Sequence, residues 1–213
     1  MKNAVRCAVT ALLLCALAPA HGADSSYWYS GLGVGYSRVQ FFPADFSSGG
    51  LYQESKKDFD AGVKGFVGLQ LSRNWAAEVS FVSLGKFKYR WTQANVTEEF
   101  EYKVTGWGFS ALPTLNFTDN LSLYGRLGGF FSQTRTTLRN AGFVVGANSG
   151  GVQTSEANLL TGLGVQYFFG GDSGMRIEFE NLGKVGTTCS SSSTTCTGRA
   201  NAKMVSVSAL LAF

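Results

Sequence analysis

The sequence predicts an all-β protein, folded as an eight-stranded antiparallel up-and-down β-barrel that spans a membrane. Apolar and polar residues alternate at a period of two in segment after segment, whereas the helical period is nearly absent. One face of each segment carries large apolar side chains, and the other carries mostly Gly, Ser and Thr. Short and long connections also alternate along the chain, as in membrane-spanning barrels.

The N-terminal segment has the composition of a secretory signal peptide. Lys2 and Arg6 precede an apolar run over residues 8–17, and small residues follow it. The run is too short to span a bilayer as a helix, which takes roughly 20 residues, and no comparable run follows. Cleavage is expected after Ala20, with Gly22 and Ala23 as alternatives. We therefore expect a signal peptide over residues 1–23 and a barrel domain over residues 24–213.

The first three strands follow from the alternation after the signal peptide. Each has a face of larger apolar residues and a face of small and polar ones that includes Lys64, Gln70 and Glu78. The apolar sets are Trp28, Leu32, Val34 and Tyr36; then Phe59, Ala61, Val63, Val67, Leu69 and Leu71; then Ala77, Val79 and Phe81.

The later strands repeat the pattern. The segment LSLYGRLGGFF carries Arg126 on its polar face, and EANLLTGLGVQYF carries Glu156, Asn158 and Gln166 there. The segment MRIEFE alternates Arg176, Glu178 and Glu180 with apolar residues. In the C-terminal strand the apolar face comprises Val205, Val207, Ala209, Leu211 and Phe213.

Size and charge decide which face looks inward. A soluble barrel would expose a well-charged face, but here the second face is mostly small residues with a few charges, which suits a narrow, crowded lumen. The large apolar residues are then expected to face lipid. The inward charges balance three against three and form a predicted luminal charge network of Lys64, Arg126 and Arg176 with Glu78, Glu178 and Glu180.

The connections predict the orientation of the barrel. Short turns are expected at residues 72–74, 118–120 and 170–174, and long connections at 41–57, 133–153 and 183–201. In outer-membrane barrels the short turns are periplasmic. Five aromatic residues then fall at the periplasmic rim and form a predicted girdle: Trp28, Trp75, Phe117, Phe169 and Phe213.

A protruding hairpin is predicted for the remaining outer connection. Folding KFKYRWTQANVTEEFEYK about residues 94–95 sets Arg90 opposite Glu99 and Lys88 opposite Glu101. This register would turn Trp107 and Phe109 into the lumen. A β-bulge is therefore required, and Gly85 and Gly106 are the candidate positions.

Composition excludes several classes of function. Lys2 and Arg6 leave with the signal peptide, so 16 of the 18 basic residues remain against 14 acidic ones, a net charge of about +2 that gives no reason to expect a nucleic-acid partner. Cys189 and Cys196 bracket a polar loop and are expected to form a local disulfide in an oxidising compartment. No cofactor or metal site is expected.

The order of segments resembles the small eight-stranded outer-membrane barrels typified by the transmembrane domain of outer-membrane protein A. The resemblance runs from WYSGLGVGYS through AGVKGFVGLQLSRNWAAEVSFVSLG, LYGRLGG and RIEFENLG to Phe213. It implies residence in the outer membrane of a Gram-negative bacterium, among lipids and lipopolysaccharide. It also implies that Phe213 is the assembly signal read by the barrel assembly machinery, with periplasmic chaperones as further partners. By position, Glu78 and Arg176 look like one of the family's luminal pairs. A second pair, of Lys and Glu, is absent, because Leu112 and Gln166 occupy the positions where the resemblance implies those residues.

We expect a non-enzymatic barrel with a structural or surface-interaction role, through envelope integrity, adhesion or contact with a host ligand. A lipid A-modifying enzyme of this type needs a histidine base, and the only histidine is His21, at the cleavage site. The alternative is a narrow conduit or binding protein for small hydrophobic molecules, with an opening lined by Phe41, Phe42, Phe46, Phe143, Val144 and Val145.

Overall fold

The computed structural model describes residues 26–41, 53–93, 96–138, 152–169, 171–187 and 197–213. Within these ranges it contains nine β-strands, and no helix is long and apolar enough to cross a membrane. The strands are β1 (Tyr27–Phe41), β2 (Gln53–Lys57), β3 (Phe59–Ser72), β4 (Trp75–Gln93), β5 (Val96–Asn116), β6 (Leu121–Leu138), β7 (Val152–Phe168), β8 (Ser173–Val185) and β9 (Ala200–Ala212). The predicted signal peptide lies outside the described residues.

The sheet closes into a ring of eight antiparallel strands, which confirms the predicted fold class. The order around the ring is β4, β3, β1, β9, β8, β7, β6 and β5, and β5 pairs again with β4. The short strand β2 pairs with β4 on the side of β3 that is farther from the short turns. β2 and β3 therefore occupy one strand position of the barrel, interrupted at Asp58. The connection predicted around residues 41–57 is therefore shorter than expected, because residues 53–57 continue the ladder.

The seam of the barrel joins its first and last strands. β1 and β9 pair from Tyr29 opposite Ala212 to Phe41 opposite Ala200. At the end of the short turns, the Trp28 N–H donates to the Phe213 carbonyl oxygen at 3.1 Å, and the Phe213 N–H donates to the Trp28 carbonyl oxygen at 2.8 Å. The backbone of Phe213 thus completes the seam.

The predicted faces of the strands are confirmed. Outward residues are exposed, with Leu32 and Tyr36 at 76% and 77%, whereas inward Lys64 and Glu78 are 2% and 3% exposed. The other two long connections are shorter than predicted, because β6 continues to Leu138 and β8 to Val185. β-Branched and alternating residues at these ends extend the hydrogen-bonded ladders beyond the expected strand limits.

The predicted bulge lies at Gly85 and not at Gly106. The register of β4 against β5 shifts between Ser83 and Lys86, and Gly85 adopts a φ of 90°. The Lys86 N–H donates to Asp60 Oδ2 at 2.7 Å. Gly106 keeps regular pairing with Val82 and Ser132, so the prediction of a bulge there is wrong. The extra residue in β4 allows Trp107 to face outward.

Gly85→Ala is expected to destabilise the barrel by about 1 to 3 kcal/mol, because a Cβ disfavours this left-handed backbone. It would also lie 2.6 Å from the Ala61 carbonyl oxygen. The measurement is urea unfolding of the barrel refolded in detergent. Gly129→Ala is the control, since its Cβ would meet only the Phe131 ring at 3.7 Å. Equal urea midpoints for Gly85→Ala and the wild type would contradict the importance of the bulge.

Candidate functional site: a charge cluster in the lumen

The predicted luminal charges converge on one buried cluster inside the barrel. β3 supplies Lys64, β4 supplies Glu78 and β6 supplies Arg126, while β8 supplies three residues at alternate positions. The side chains of this cluster, which we call the luminal cluster, are at most 1% exposed: Lys64, Glu78, Arg126, Arg176, Glu178 and Glu180. Three positive and three negative groups give a formal net charge of zero.

Arg126 lies at the centre of the luminal cluster. Its Nε donates to Glu178 Oε1 at 2.6 Å and lies 3.4 Å from Glu180 Oε1. Its Nη2 donates to Glu78 Oε1, and its Nη1 donates to the Ser110 hydroxyl at 2.8 Å. Arg126 therefore contacts all three carboxylates, and its removal would disconnect Glu78 from the pair on β8.

Lys64 holds the two glutamates of β8 from the opposite side. Its Nζ donates to Glu178 Oε2 at 2.5 Å and to Glu180 Oε1 at 2.8 Å. These short charge-assisted hydrogen bonds compensate part of the cost of removing the ions from water. The second oxygen of Glu180, Oε2, has no hydrogen-bond partner.

Arg176 is held in a cage of aromatic rings. Its Nη1 donates to Glu78 Oε2 at 2.6 Å, and its Nη2 donates to Gln166 Oε1 at 3.0 Å. The guanidinium carbon lies 5.4 Å from the Tyr29 ring centroid, 4.7 Å from that of Phe66 and 4.8 Å from that of Tyr124. Cation–π contacts of this kind are strongest where water is excluded.

Sequence reasoning missed the three rings of this cage. The alternation of the strands indicates that these rings face inward. It does not indicate which arginine an aromatic residue on the polar face contacts. Three glycines make room for the rings, because an added Cβ would collide with Phe66 at Gly31, with Tyr29 at Gly68 and with Tyr124 at Gly164. Glycines on the inward face thus leave room for large side chains that cross the lumen.

Two apolar layers enclose the luminal cluster. The layer at the short-turn end contains Leu112 and Leu210 together with the cage rings, and the larger layer lies at the other end. The inward face was expected to carry mostly small residues, but the larger layer, which we call the upper layer, consists largely of bulky side chains. Its members are Val39, Val82, Leu84, Phe87, Tyr102, Val104, Phe130, Leu160, Leu182, Val185, Ala200, Ala202 and Met204. The charged side chains are therefore nearly inaccessible to solvent. Gln166, which accepts a hydrogen bond from Arg176, also lines an open polar pocket of about 330 Å³ at the short-turn end.

The chain after the last outer connection covers the upper layer. Thr197 and Gly198 are buried at the mouth of the barrel. The Tyr102 hydroxyl lies 3.1 Å from the Val185 carbonyl oxygen and 3.2 Å from that of Gly198. The Thr187 N–H donates to Thr197 Oγ1 at 3.0 Å. Cys189 and Cys196, the predicted disulfide, lie outside the described residues.

The aromatic residues predicted for the periplasmic girdle all lie at the short-turn end. Their exposure ranges from 50% to 72%: Trp28, Trp75, Phe117, Phe169 and Phe213. Rings at this end are also in mutual contact, with the Tyr167 and Phe169 centroids 5.5 Å apart.

The carboxylates of the luminal cluster are all engaged by hydrogen bonds. They all accept hydrogen bonds from buried cations, and Tyr29 Oη donates to Glu78 Oε2 at 3.2 Å. Among the described residues, no group of three His, Cys, Asp or Glu side chains could hold a metal ion. The arrangement is suited to filling the barrel with compensated charge.

Comparison with known proteins agrees with this architecture. The family model for the OmpA-like transmembrane domain matches residues 23–213, and no curated protein matches the chain. Neisserial surface protein A aligns at a TM-score of 0.52 with 11% identity, covering 89% of this chain and all of that one. The outer membrane protein AlkL, solved in DMPC bilayers, aligns at 0.50 with 12% identity, covering 92% of this chain and 94% of that one. These two similarities support the fold alone.

Arg126→Met is expected to destabilise the barrel by roughly 3 to 5 kcal/mol, because three buried carboxylates would then face only two cations. The free energy of unfolding is measured by urea titration of detergent-refolded protein. Arg73→Met is the control, because Arg73 is exposed in a short turn and surface changes usually stay within about 0.5 kcal/mol. Similar unfolding free energies for the two variants would contradict the structural role of the cluster.

Proposed function

The chain belongs to the OmpA-like transmembrane domain family, and we propose that it is a non-enzymatic barrel of the outer membrane of a Gram-negative bacterium. Its role is to stabilise the envelope and to present its outer connections to a surface or host ligand. The observation that carries this proposal is the filled lumen, in which a neutral charge cluster is enclosed between two apolar layers. Such an interior stabilises the barrel and leaves the outer connections as the region for recognition.

The outward face supports a lipid environment. Large apolar residues are exposed around the ring, including Leu32 at 76%, Leu127 at 58% and Leu159 at 65%. An apolar surface of this extent is unusual for a soluble monomer. It matches the apolar band of about 25 Å found on outer-membrane barrels, with lipids and lipopolysaccharide as its neighbours.

Four further assignments belong to this proposal. Residues 1–23 act as a signal peptide, residues 24–213 form the barrel domain, and Cys189 pairs with Cys196 in the last outer connection. Phe213 acts as an assembly signal for the barrel assembly machinery after delivery by periplasmic chaperones. Its exposed ring at the rim and its backbone hydrogen bonds to Trp28 support a role at the closing seam.

The absence of enzyme activity is proposed from the residues available. His21 is the only histidine of the chain and lies in the proposed signal peptide. The luminal glutamates are buried and bound to Lys64, Arg126 and Arg176, so a substrate has no access to them. A lipid A acylation or deacylation assay with the purified barrel is expected to show no product.

The alternative function, a narrow conduit for small hydrophobic molecules, receives less support from the structure. Bulky residues such as Phe87, Phe130 and Leu160 fill the upper layer, and each is fully buried. The side chains proposed to line an opening, including Phe41 and Phe143, lie outside the part of the chain whose side chains are described. A continuous path through the lumen would have to displace both apolar layers.

The wild-type barrel is expected to be nearly non-conducting in planar lipid bilayers, because both apolar layers must open before ions can pass. The double variant Phe130→Gly/Leu160→Gly, which removes two large side chains from the upper layer, should increase the frequency of open events. Steady, large single-channel currents from the wild type would contradict the filled lumen.

An epitope inserted between residues 94 and 95, after β4, is expected to be accessible to antibody on intact cells. The same epitope at Asp119, in the short turn between β5 and β6, should react only after the outer membrane is permeabilised. Reaction at Asp119 on intact cells, with none at residues 94–95, would reverse the proposed orientation. Absence from the outer-membrane fraction would contradict the proposed location.

A further inference from the structure

Three basic residues lie directly opposite one another on the outward face of the barrel. Lys86 of β4 is paired with Lys103 of β5, and Lys103 is paired with Arg135 of β6. All three side chains are exposed, and we call them the basic row. Like charges placed directly opposite in an antiparallel pair are destabilising. The row therefore costs stability unless an anion lies against it.

Carboxylates of the protein neutralise only part of the basic row. Lys86 Nζ lies 3.4 Å from Glu101 Oε1. No carboxylate among the described residues forms an ion pair with Lys103 or Arg135. One negative charge against three positive charges leaves a formal excess of two at this part of the surface.

Two adjoining depressions accompany the row. The upper one, of about 320 Å³, is lined by the basic row with Glu101 and Thr137. The lower one, of about 480 Å³, begins at the next outward positions of β5 and β6 and combines aromatic rings with polar groups and one carboxylate, Glu156, whose Oε1 accepts a hydrogen bond from the Thr187 hydroxyl. Its other principal lining residues are Phe81, Thr105, Trp107, Phe131, Gln133 and Ser155. Phe81 and Trp107 meet edge to face, with centroids 5.1 Å apart. A charged recess thus lies directly above an amphipathic one.

The height of the row matches a membrane interface. Trp75 of the short-turn rim is paired with Pro113, and Lys103 lies ten residues from Pro113 along β5. At about 3.3 Å per residue and a strand tilt of about 40°, ten residues rise about 25 Å along the barrel axis. This is the height of the apolar band of outer-membrane barrels. The row therefore lies at the level of the outer-leaflet headgroups if the short turns are periplasmic.

We propose that the basic row binds the phosphate of a phosphorylated saccharolipid, lipid A, in the outer leaflet. This inference rests on the proposed outer-membrane function. Lys103 and Arg135 donate charge-assisted hydrogen bonds to phosphate oxygens, the polar groups of the lower depression contact the sugar, and the rings of Phe81 and Trp107 contact the first acyl segments. The anion relieves the repulsion within the row.

The barrel contains a matched control on its opposite wall. Arg38 of β1 is paired with Lys203 of β9, and Arg38 lies ten residues after Trp28. The pair therefore has the same charge and about the same height as Lys103 with Arg135. Arg38 instead lies over the Phe59 ring, with its guanidinium carbon 5.0 Å from the centroid. Lys103→Gln/Arg135→Gln and Arg38→Gln/Lys203→Gln thus remove equal charge from different walls.

The test is titration of the detergent-refolded full barrel with fluorescent lipid A that carries both phosphates, and with its dephosphorylated form. Lys103→Gln/Arg135→Gln should weaken binding of phosphorylated lipid A by about 10- to 30-fold, and Arg38→Gln/Lys203→Gln by less than about twofold. Dephosphorylated lipid A should bind the wild type about as weakly as phosphorylated lipid A binds the Lys103→Gln/Arg135→Gln variant. Inorganic phosphate at millimolar concentration should not compete.

Equal losses in the two double variants would overturn the site in favour of general surface charge. Equal binding of the dephosphorylated lipid, or effective competition by inorganic phosphate, would also overturn it. Heat-modifiable electrophoretic migration verifies that each variant is folded, and Lys103→Gln alone, with a smaller expected loss, replaces a double variant that does not fold. A barrel found in the outer membrane whose lipid A binding is unchanged by these substitutions refutes only this inference. A barrel absent from that membrane refutes the proposed function.

Discussion

Backbone hydrogen bonding in hydrocarbon is the constraint on which the rest of this structure depends. An open strand edge in lipid would leave N–H and C=O groups unpaired at a cost of several kcal/mol each, so β1 must meet β9. The seam closes as far as Trp28 and Phe213 at one end and Phe41 and Ala200 at the other. A ring of eight strands leaves room inside only for side chains. Closure therefore fixes both the parity of every strand and the small volume that the inward side chains have to fill.

The charge cluster follows from this small volume. Six ionised groups taken out of water are tolerated only if each is paired and hydrogen-bonded, and Arg126 achieves this by contacting Glu78, Glu178 and Glu180. The aromatic cage supports Arg176 where further carboxylates would upset the charge balance. The apolar layers then keep water from competing for these contacts. One interior thus combines stability with closure.

The sequence predicts the fold well because the face of the strand on which a residue lies is set by alternation with its immediate neighbours. Residues such as Leu32 and Lys64 reveal their faces through their immediate neighbours, and the bulge at Gly85 could be predicted because Trp107 would otherwise face inward. The aromatic cage could not be predicted, since Arg176 meets Tyr29 and Phe66 through the curvature of the closed sheet. The lengths of the outer strands were also underestimated, because the ladders of β6 and β8 continue into polar segments. The basic row became visible only when the register set Lys103 opposite Arg135.

The central claim is that the luminal cluster acts as one coupled unit that holds the closed barrel. A double-mutant cycle with Glu78→Gln and Arg126→Gln, measured as the free energy of unfolding in urea in the same detergent, tests it most directly. These side chains share a buried charge-assisted hydrogen bond, so the two single losses should exceed the loss in the double variant by about 1 to 3 kcal/mol. Additive losses, agreeing within about 0.5 kcal/mol, would show that the charges act independently and would contradict the account.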